Sequence, residues 1–132
     1  MSEENVEIVR RASDAWNDGE FEAALRLIDP EIEVEVAGGT PVDGIYRGHE
    51  GLAKMLSEFW SQFETYRSEL IECIPAGDEV FLAVLHRGTG KGSGAIVEMP
   101  GWQVCSVRNG RIVRWRNLKT REEALEAAGL QE

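Results

Sequence analysis

The feature that most constrains this chain is a pair of β-rich runs joined by Asn109-Gly110. Residues 96–119 read IVEMPGWQVCSV, then Arg108-Asn109-Gly110, then RIVRWRNLK. An Asn-Gly pair between apolar runs is a strong hairpin signal, because both residues tolerate positive φ. Two registers are open. A two-residue loop of Asn109 and Gly110 pairs Val104 with Trp115 and Trp102 with Asn117. A three-residue loop, a type I turn closed by Gly110 in a bulge, pairs Gln103 with Trp115 and Cys105 with Val113. The choice decides which side chains share a face, since a slip of one residue sends every side chain to the other side. Pattern alone favours the two-residue loop, which makes the more apolar face.

The remaining periodicities supply strands and helices to accompany this hairpin. Residues 31–36 set Ile32, Val34 and Val36 against Glu31, Glu33 and Glu35, the alternation of a half-buried strand. Tyr66 to Pro75 and Glu79 to Arg87 read as two long strands about the turn Ala76-Gly77-Asp78. The stripe Val6, Val9, Ala12 and Trp16 predicts a helix from Glu3 to Asn17. Ser2 would be its N-cap, and Glu3 and Glu4 would complement its dipole. A second helix is predicted from Glu20 to Ile28, stopped by Asp29-Pro30. A third runs from His49 to Phe63 through Leu52, Met55, Leu56, Phe59 and Trp60. Before it, Ala37 to Gly48 is a turn-rich loop with a short extended piece at Ile45-Tyr46-Arg47. Thr120-Arg121-Glu122-Glu123 is a capping box that opens a short C-terminal helix ended by Gly129. Helices segregated from a run of antiparallel strands indicate an α+β fold. A chain of 132 residues without repeat or linker makes one domain, 1–132.

Charge excludes whole classes of function. Fourteen Lys and Arg against 24 Asp and Glu leave a net charge of −10. That is the wrong sign for nucleic acid, which needs a basic face to release counterions. Arg108, Arg111, Arg114 and Arg116, clustered on the hairpin, read as a solvated strand face or a subunit contact. No apolar run approaches the roughly 20 residues that span a bilayer, so no membrane partner is expected. The opening MSEENVEIVRR is acidic and amphipathic, unlike a secretory leader. Cys73 and Cys105, each inside an apolar run, read as buried thiols, from which a cytoplasmic location follows. His, Cys, Asp and Glu nowhere show metal-ligand spacing, so no metal is expected. The glycine-rich GTGKGSG, residues 88–94, fits neither common phosphate-loop spacing and lies between strands, which leaves a hairpin tip.

Three stretches carry a resemblance that covers nearly the whole chain: NVEIVRRASDAWNDGEFEAALRLIDPEIEVE, IYRGHEGLAKML and VRNGRIVRWRNLKTREEALEAAGL. With them, the chain resembles the nuclear transport factor 2-like superfamily, and within it the SnoaL-like or ketosteroid isomerase-like small proteins. The resemblance implies a cystatin-like roll: a cone-shaped, curved, mixed or antiparallel sheet wrapped round three N-terminal helices, with a short C-terminal helix. It also implies a homodimer through the outer sheet face. It favours the three-residue register, with Gln103, Cys105, Val113, Trp115, Asn117 and Lys119 inward. Trp102, Val104, Ile112, Arg114 and Arg116 would then face outward, with Trp102 stacked on Arg116.

The resemblance also says where chemistry would be. Ketosteroid isomerases of this fold use a carboxylate base, a helix tyrosine and a protonated acid. Carried over, these positions fall on Val36, on Ala12 (Ser13 if the alignment slips by one), and on Gln103, none of which can do the same work. Dehydratases of the fold pair a histidine with an aspartate. His49, at the start of the third helix, reads as a solvated terminal residue. His86 shares a strand face with Leu82 and Val84 and is the acid–base candidate. Asp14 lies on the far side of its helix from Ala12 and Trp16 and makes a poor partner for it. What remains is an aromatic-lined pocket of Trp16, Val36, Phe59, Trp60, Phe63, Cys105 and Trp115. Gln103, Asn117 and Lys119 would be its polar handles, for a hydrophobic small molecule bound without a cofactor. Three functions stay open: a binder with no catalytic set; a cofactor-independent isomerase, dehydratase or cyclase using His86; and an interaction module whose cone its own side chains fill.

Overall fold

In the computed structural model, which describes residues 2–37 and 39–130 (Ser2 by its backbone alone), three of the helices precede a run of four consecutive strands. The order is α1 (Ser2–Asn17), α2 (Phe21–Arg26), β1 (Ile28–Ala37), β2 (Gly44–Arg47), α3 (Gly48–Trp60), β3 (Phe63–Ala76), β4 (Glu79–Gly90), β5 (Ile96–Arg108), β6 (Arg111–Leu118) and α4 (Arg121–Ala127). The six strands form one curved, unclosed sheet in the order β2-β1-β6-β5-β4-β3. The β1–β6 pair is parallel and every other pair antiparallel.

Strand alternation gives the sheet two different faces. On the inner face, Val80, Leu82 and Val84 of β4 and Ile32, Val34 and Val36 of β1 pack with Val9 and Ala12 of α1 and Leu52, Met55 and Leu56 of α3. On the outer face, Phe81 and Val104 are covered by Ala124, Leu125 and Ala128 of α4. The capping box that starts α4 forms in a variant geometry. Thr120 Oγ1 accepts from Glu123 N at 3.1 Å, while the Glu123 carboxylate accepts from Lys119 N instead of the cap residue's own N–H. The Ser2 side-chain cap expected for α1 lies outside the described residues.

The hairpin adopts neither of the two simple registers. Asn109 and Gly110 have φ of 52° and 76°, and Arg108 pairs with Arg111, which is the two-residue turn. Val107 then pairs with Ile112 but Ser106 with Arg114, so Val113 is an extra, bulged residue. The bulge flips the alternation after two pairs. Ile112, expected outward, is 5% exposed in the inner core, and Trp115 still faces the same side as Cys105 and Gln103. Val113, expected inward, is the residue sacrificed. The predicted Trp102–Arg116 stack does not form: Trp102 lies opposite Leu118 and packs on the outer cluster, and Arg116 binds Glu35 at 2.9 Å.

Other boundaries move for local reasons. Helix α2 stops at Arg26, and Ile28, Asp29 and Pro30 belong to β1. Leu27 O accepts from Ile112 N and Ile28 pairs with Ile112, so strand pairing outweighs another helical turn. Pro30 falls where the β1–β6 ladder shifts and needs no N–H. Helix α3 ends at Trp60, with Ser61 Oγ bonded back to Glu58 O, and Phe63 opens β3. The glycine-rich tip shrinks because β4 runs on to Gly90. A Cβ at Gly88 would run into the Thr65 carbonyl oxygen, so only glycine fits there.

Candidate functional site

The concave side of the sheet encloses a cavity of about 470 Å³ whose wall is mostly apolar. Helix α1 reaches it through Trp16 because Asn17, next in sequence, clamps the end of the helix to β3. The Asn17 amide donates to Ser68 O at 2.7 Å and accepts from Ser68 N at 3.0 Å. Gly19, with φ of 76°, then turns the chain so that Phe21 stacks edge-on against Trp16, ring centroids 5.3 Å apart. From α3, Trp60 lies 5.8 Å from Trp16, and Phe59 lies 5.1 Å from Tyr66 and 5.3 Å from Phe63. A continuous aromatic wall therefore joins both helices to β3.

The sheet supplies the polar groups. On β5 and β6, Gln103 Nε2 donates to Asn117 Oδ1 at 2.9 Å, and Gln103 is only 6% exposed. Lys119, just past the end of β6, is exposed and borders the cavity. On β4, His86 points into the cavity, its Nδ1 2.5 Å from the Tyr66 hydroxyl, with the Phe59 ring 5.8 Å away. Gly101 on β5 makes room for this imidazole, since a Cβ there would stand 2.5 Å from Nε2. Burial holds the His86 pKa below the usual histidine value, so the ring is neutral at pH 7. Burial pushes the Tyr66 phenol up to about 12, against a smaller opposing effect of the hydrogen bond with Ser68, so Tyr66 keeps its proton. A neutral imidazole beside a protonated phenol can take up or deliver a proton inside an apolar chamber.

Every residue named from sequence as a pocket group borders this one cavity: Trp16, Val36, Phe59, Trp60, Phe63, His86, Gln103, Cys105, Trp115, Asn117 and Lys119. So do Ala12, Ser13, Val36 and Gln103, where the resemblance put isomerase groups. Among the described residues no Asp or Glu lines the cavity, and no group of three or more His, Cys, Asp or Glu stands together as a metal site would need. Among the described residues no helix is long and apolar enough to cross a membrane. Cys105 is buried, which pushes its thiol pKa up, and half-buried Cys73 is shifted in the same direction; both are free. His49, expected in solvent, is half-buried with Nε2 3.0 Å from Ile28 O, and ties α3 to the start of β1.

Sequence reasoning missed Tyr66 as the partner of His86. In the β3–β4 ladder Ser68 lies opposite His86 and Tyr66 opposite Gly88, which makes Tyr66 the diagonal neighbour. That juxtaposition depends on a bulge at Ile71, skipped between the Leu70–Val84 and Glu72–Ala83 pairs and 62% exposed. Counting back from the turn without it would put Tyr66 and His86 on opposite faces.

The profile of a SnoaL-like domain matches residues 9–115. Solved structures share the fold at low identity. Bal32a from a soil-derived mobile gene cassette is 21% identical, covering 88% of each chain with a TM-score of 0.78. TerC, co-crystallised with polyporic acid, is 19% identical over 96% of this chain and 98% of its own, TM-score 0.79. A candidate SnoaL-like polyketide cyclase from Jannaschia sp. CCS1 is 20% identical over 96% and 92%, TM-score 0.77. The comparison with curated proteins returns no match.

Proposed function

We propose, from the premise that the chain belongs to the SnoaL-like domain family, that its cavity holds a hydrophobic small molecule. The observation that carries this reading is the chamber of about 470 Å³ behind an aromatic wall, within the size range of ligand pockets. A filled cone, the interaction-module alternative, would leave no such space. Native mass spectrometry of the protein as purified, followed by extraction and a thermal-shift screen of polycyclic compounds, tests it. A co-purified hydrophobic molecule, or stabilisation by several ring compounds, is expected. Failure of every compound to stabilise the protein, with no co-purified mass, would refute it.

A second reading, proton transfer on the bound molecule, is favoured by the His86–Tyr66 contact inside the same chamber. It needs no metal or cofactor and suits the isomerase- or cyclase-like chemistry known elsewhere in the fold. With Nδ1–H donating to the Tyr66 hydroxyl oxygen, the free Nε2 lone pair of the neutral imidazole would remove a proton beside a carbonyl, and the Tyr66 contact would hold the ring's orientation. β-Tetralone, whose α-hydrogens exchange with solvent, gives a substrate-independent assay. The wild type is expected to accelerate deuterium uptake from D₂O, and His86→Gln to lose that acceleration. Equal rates would sink the catalytic reading and leave binding intact. The same proposal includes a cytoplasmic setting, matching the two free thiols. It also includes a homodimer over the part of the outer sheet face that α4 leaves open. Sedimentation at the single-chain mass of 14.7 kDa would rule that assembly out.

A further inference from the structure

We propose that the molecule this cavity takes is an amphipathic organic acid, its rings inside the chamber and its carboxylate held at the edge by the Lys119 ammonium. The proposal rests on the reading of the cavity as a small-molecule site and adds the charge of the occupant. Its ground is where charge is placed. Asp, Glu, Lys and Arg make up 29% of the chain, and acids outnumber bases 24 to 14. Among the described residues, Lys119 is nevertheless the one member of those four types that borders the cavity. The formal charge on the wall is therefore opposite in sign to that of the whole molecule.

The position of Lys119 suits a ligand that stays partly in water. Lys119, Thr40 and Pro41 are exposed and also border the cavity, so the cavity meets solvent here. A Cβ on Gly39 would stand 3.9 Å from Lys119 Cε and 4.0 Å from Nζ, which sets the ammonium against the loop that carries Thr40 and Pro41. The Lys119 backbone is held separately, its N–H donating to Glu123 Oε2 at 3.3 Å. No carboxylate of a described residue lies within ion-pair distance of the ammonium, whereas Arg47, Arg87, Arg114, Arg116 and Arg121 all pair with glutamates. A lysine ammonium is a compact charge with three donors on a flexible stem, able to follow a carboxylate without a rigid cradle. A carboxylate deep among Trp16, Phe59, Trp60 and Phe63 would be buried without a counter-charge, at high cost. The acid group therefore belongs beside Lys119 and the rings behind it. An amine would meet a like charge and, among the described residues of the wall, no carboxylate.

2-Naphthoic acid and 2-naphthamide share their rings and nearly their size, and differ at neutral pH by one negative charge. Anthracene-2-carboxylic acid and its amide repeat the comparison with a longer body. Against a protein of net charge −10, the uncharged amide would be favoured if Lys119 played no part. Equilibrium dialysis at about 50 mM salt should instead show the acid bound roughly three- to fivefold tighter than its amide. Lys119→Met, which keeps an unbranched stem and removes the charge, should abolish that preference, and Lys119→Arg should retain it. Raising the salt to about 0.5 M should shrink it by screening. An amide bound as tightly as its acid by the wild type, or an acid preference that survives in Lys119→Met, would overturn the inference while leaving a binding cavity. If no compound of either pair binds, the small-molecule reading itself fails, and this inference with it.

Discussion

At the residue scale, the candidate site is arranged around His86 more than around any motif. Gly101 leaves the space that the imidazole occupies, with a Cβ position only 2.5 Å from Nε2 and 3.0 Å from Val84 Cγ2. Gly101→Ala should therefore shift the ring and cost roughly 1–3 kcal/mol of stability, read by urea denaturation. The histidine also links stability to pH. Its folded pKa is lowered by burial, so the unfolded chain binds the extra proton first as pH falls. The contribution of neutral His86 is complete above the unfolded value of about 6.5 and is lost as pH drops from there toward the folded pKa. Wild type should lose more stability between pH 7.5 and 5.5 than His86→Gln does, by at most about 1.4 kcal/mol per pH unit. An identical pH dependence in both proteins would contradict this. Thiol titration checks burial separately: Cys73 should react slowly with a disulfide reagent in the native state, and Cys105 only after unfolding.

At the element scale, bulges and clamps decide what faces the cavity. The Asn17 clamp satisfies both backbone groups of Ser68 and fixes the end of α1 against β3. Asn17→Ala should cost about 1–3 kcal/mol and loosen the Trp16 wall, seen as faster amide exchange at Ser68. Gly110 at φ 76° completes the tight turn of the hairpin. Gly110→Ala should cost on the order of 1 kcal/mol, through strain in the left-handed region. The Asn-Gly signal predicted a hairpin here correctly, but the three-residue loop that the resemblance favoured gives way to the two-residue turn, in which Arg108 pairs with Arg111. The bulge at Val113 had no comparable signal: a β-branched residue in a β-branched run looks the same whether it pairs or not. Its position follows from the pairing of Ile112 with Val107 across the turn and with Ile28, the latter remote in sequence.

At the scale of the whole molecule, one sheet serves two hydrophobic clusters, and they answer to different demands. The outer one is a conventional core in which α4 lays Ala124, Leu125 and Ala128 over Phe81 and Val104. Leu125→Asp should lift the helix and expose Phe81. Stability should fall by several kcal/mol, about 3 or more, with increased binding of a hydrophobic dye. The inner cluster is a core at one end and a chamber at the other, so the same aromatic residues pack the helices and border the cavity.

What the amino-acid sequence determined by itself was the periodic part: four helices, five of the six strands and the hint of the short β2. It also determined the sign of the charge, and the set of apolar and amide side chains available to a pocket. Those follow from local spacing, because period and turn chemistry act within a few residues. Tertiary structure alone decided the bulges at Ile71 and Val113, the handover from α2 to β1 at Ile28, and the meeting of Tyr66 with His86. Each of these is settled by which strand hydrogen bonds form on a curved sheet, within the β3–β4 and β5–β6 hairpins and between β1 and β6, and no local preference encodes that competition.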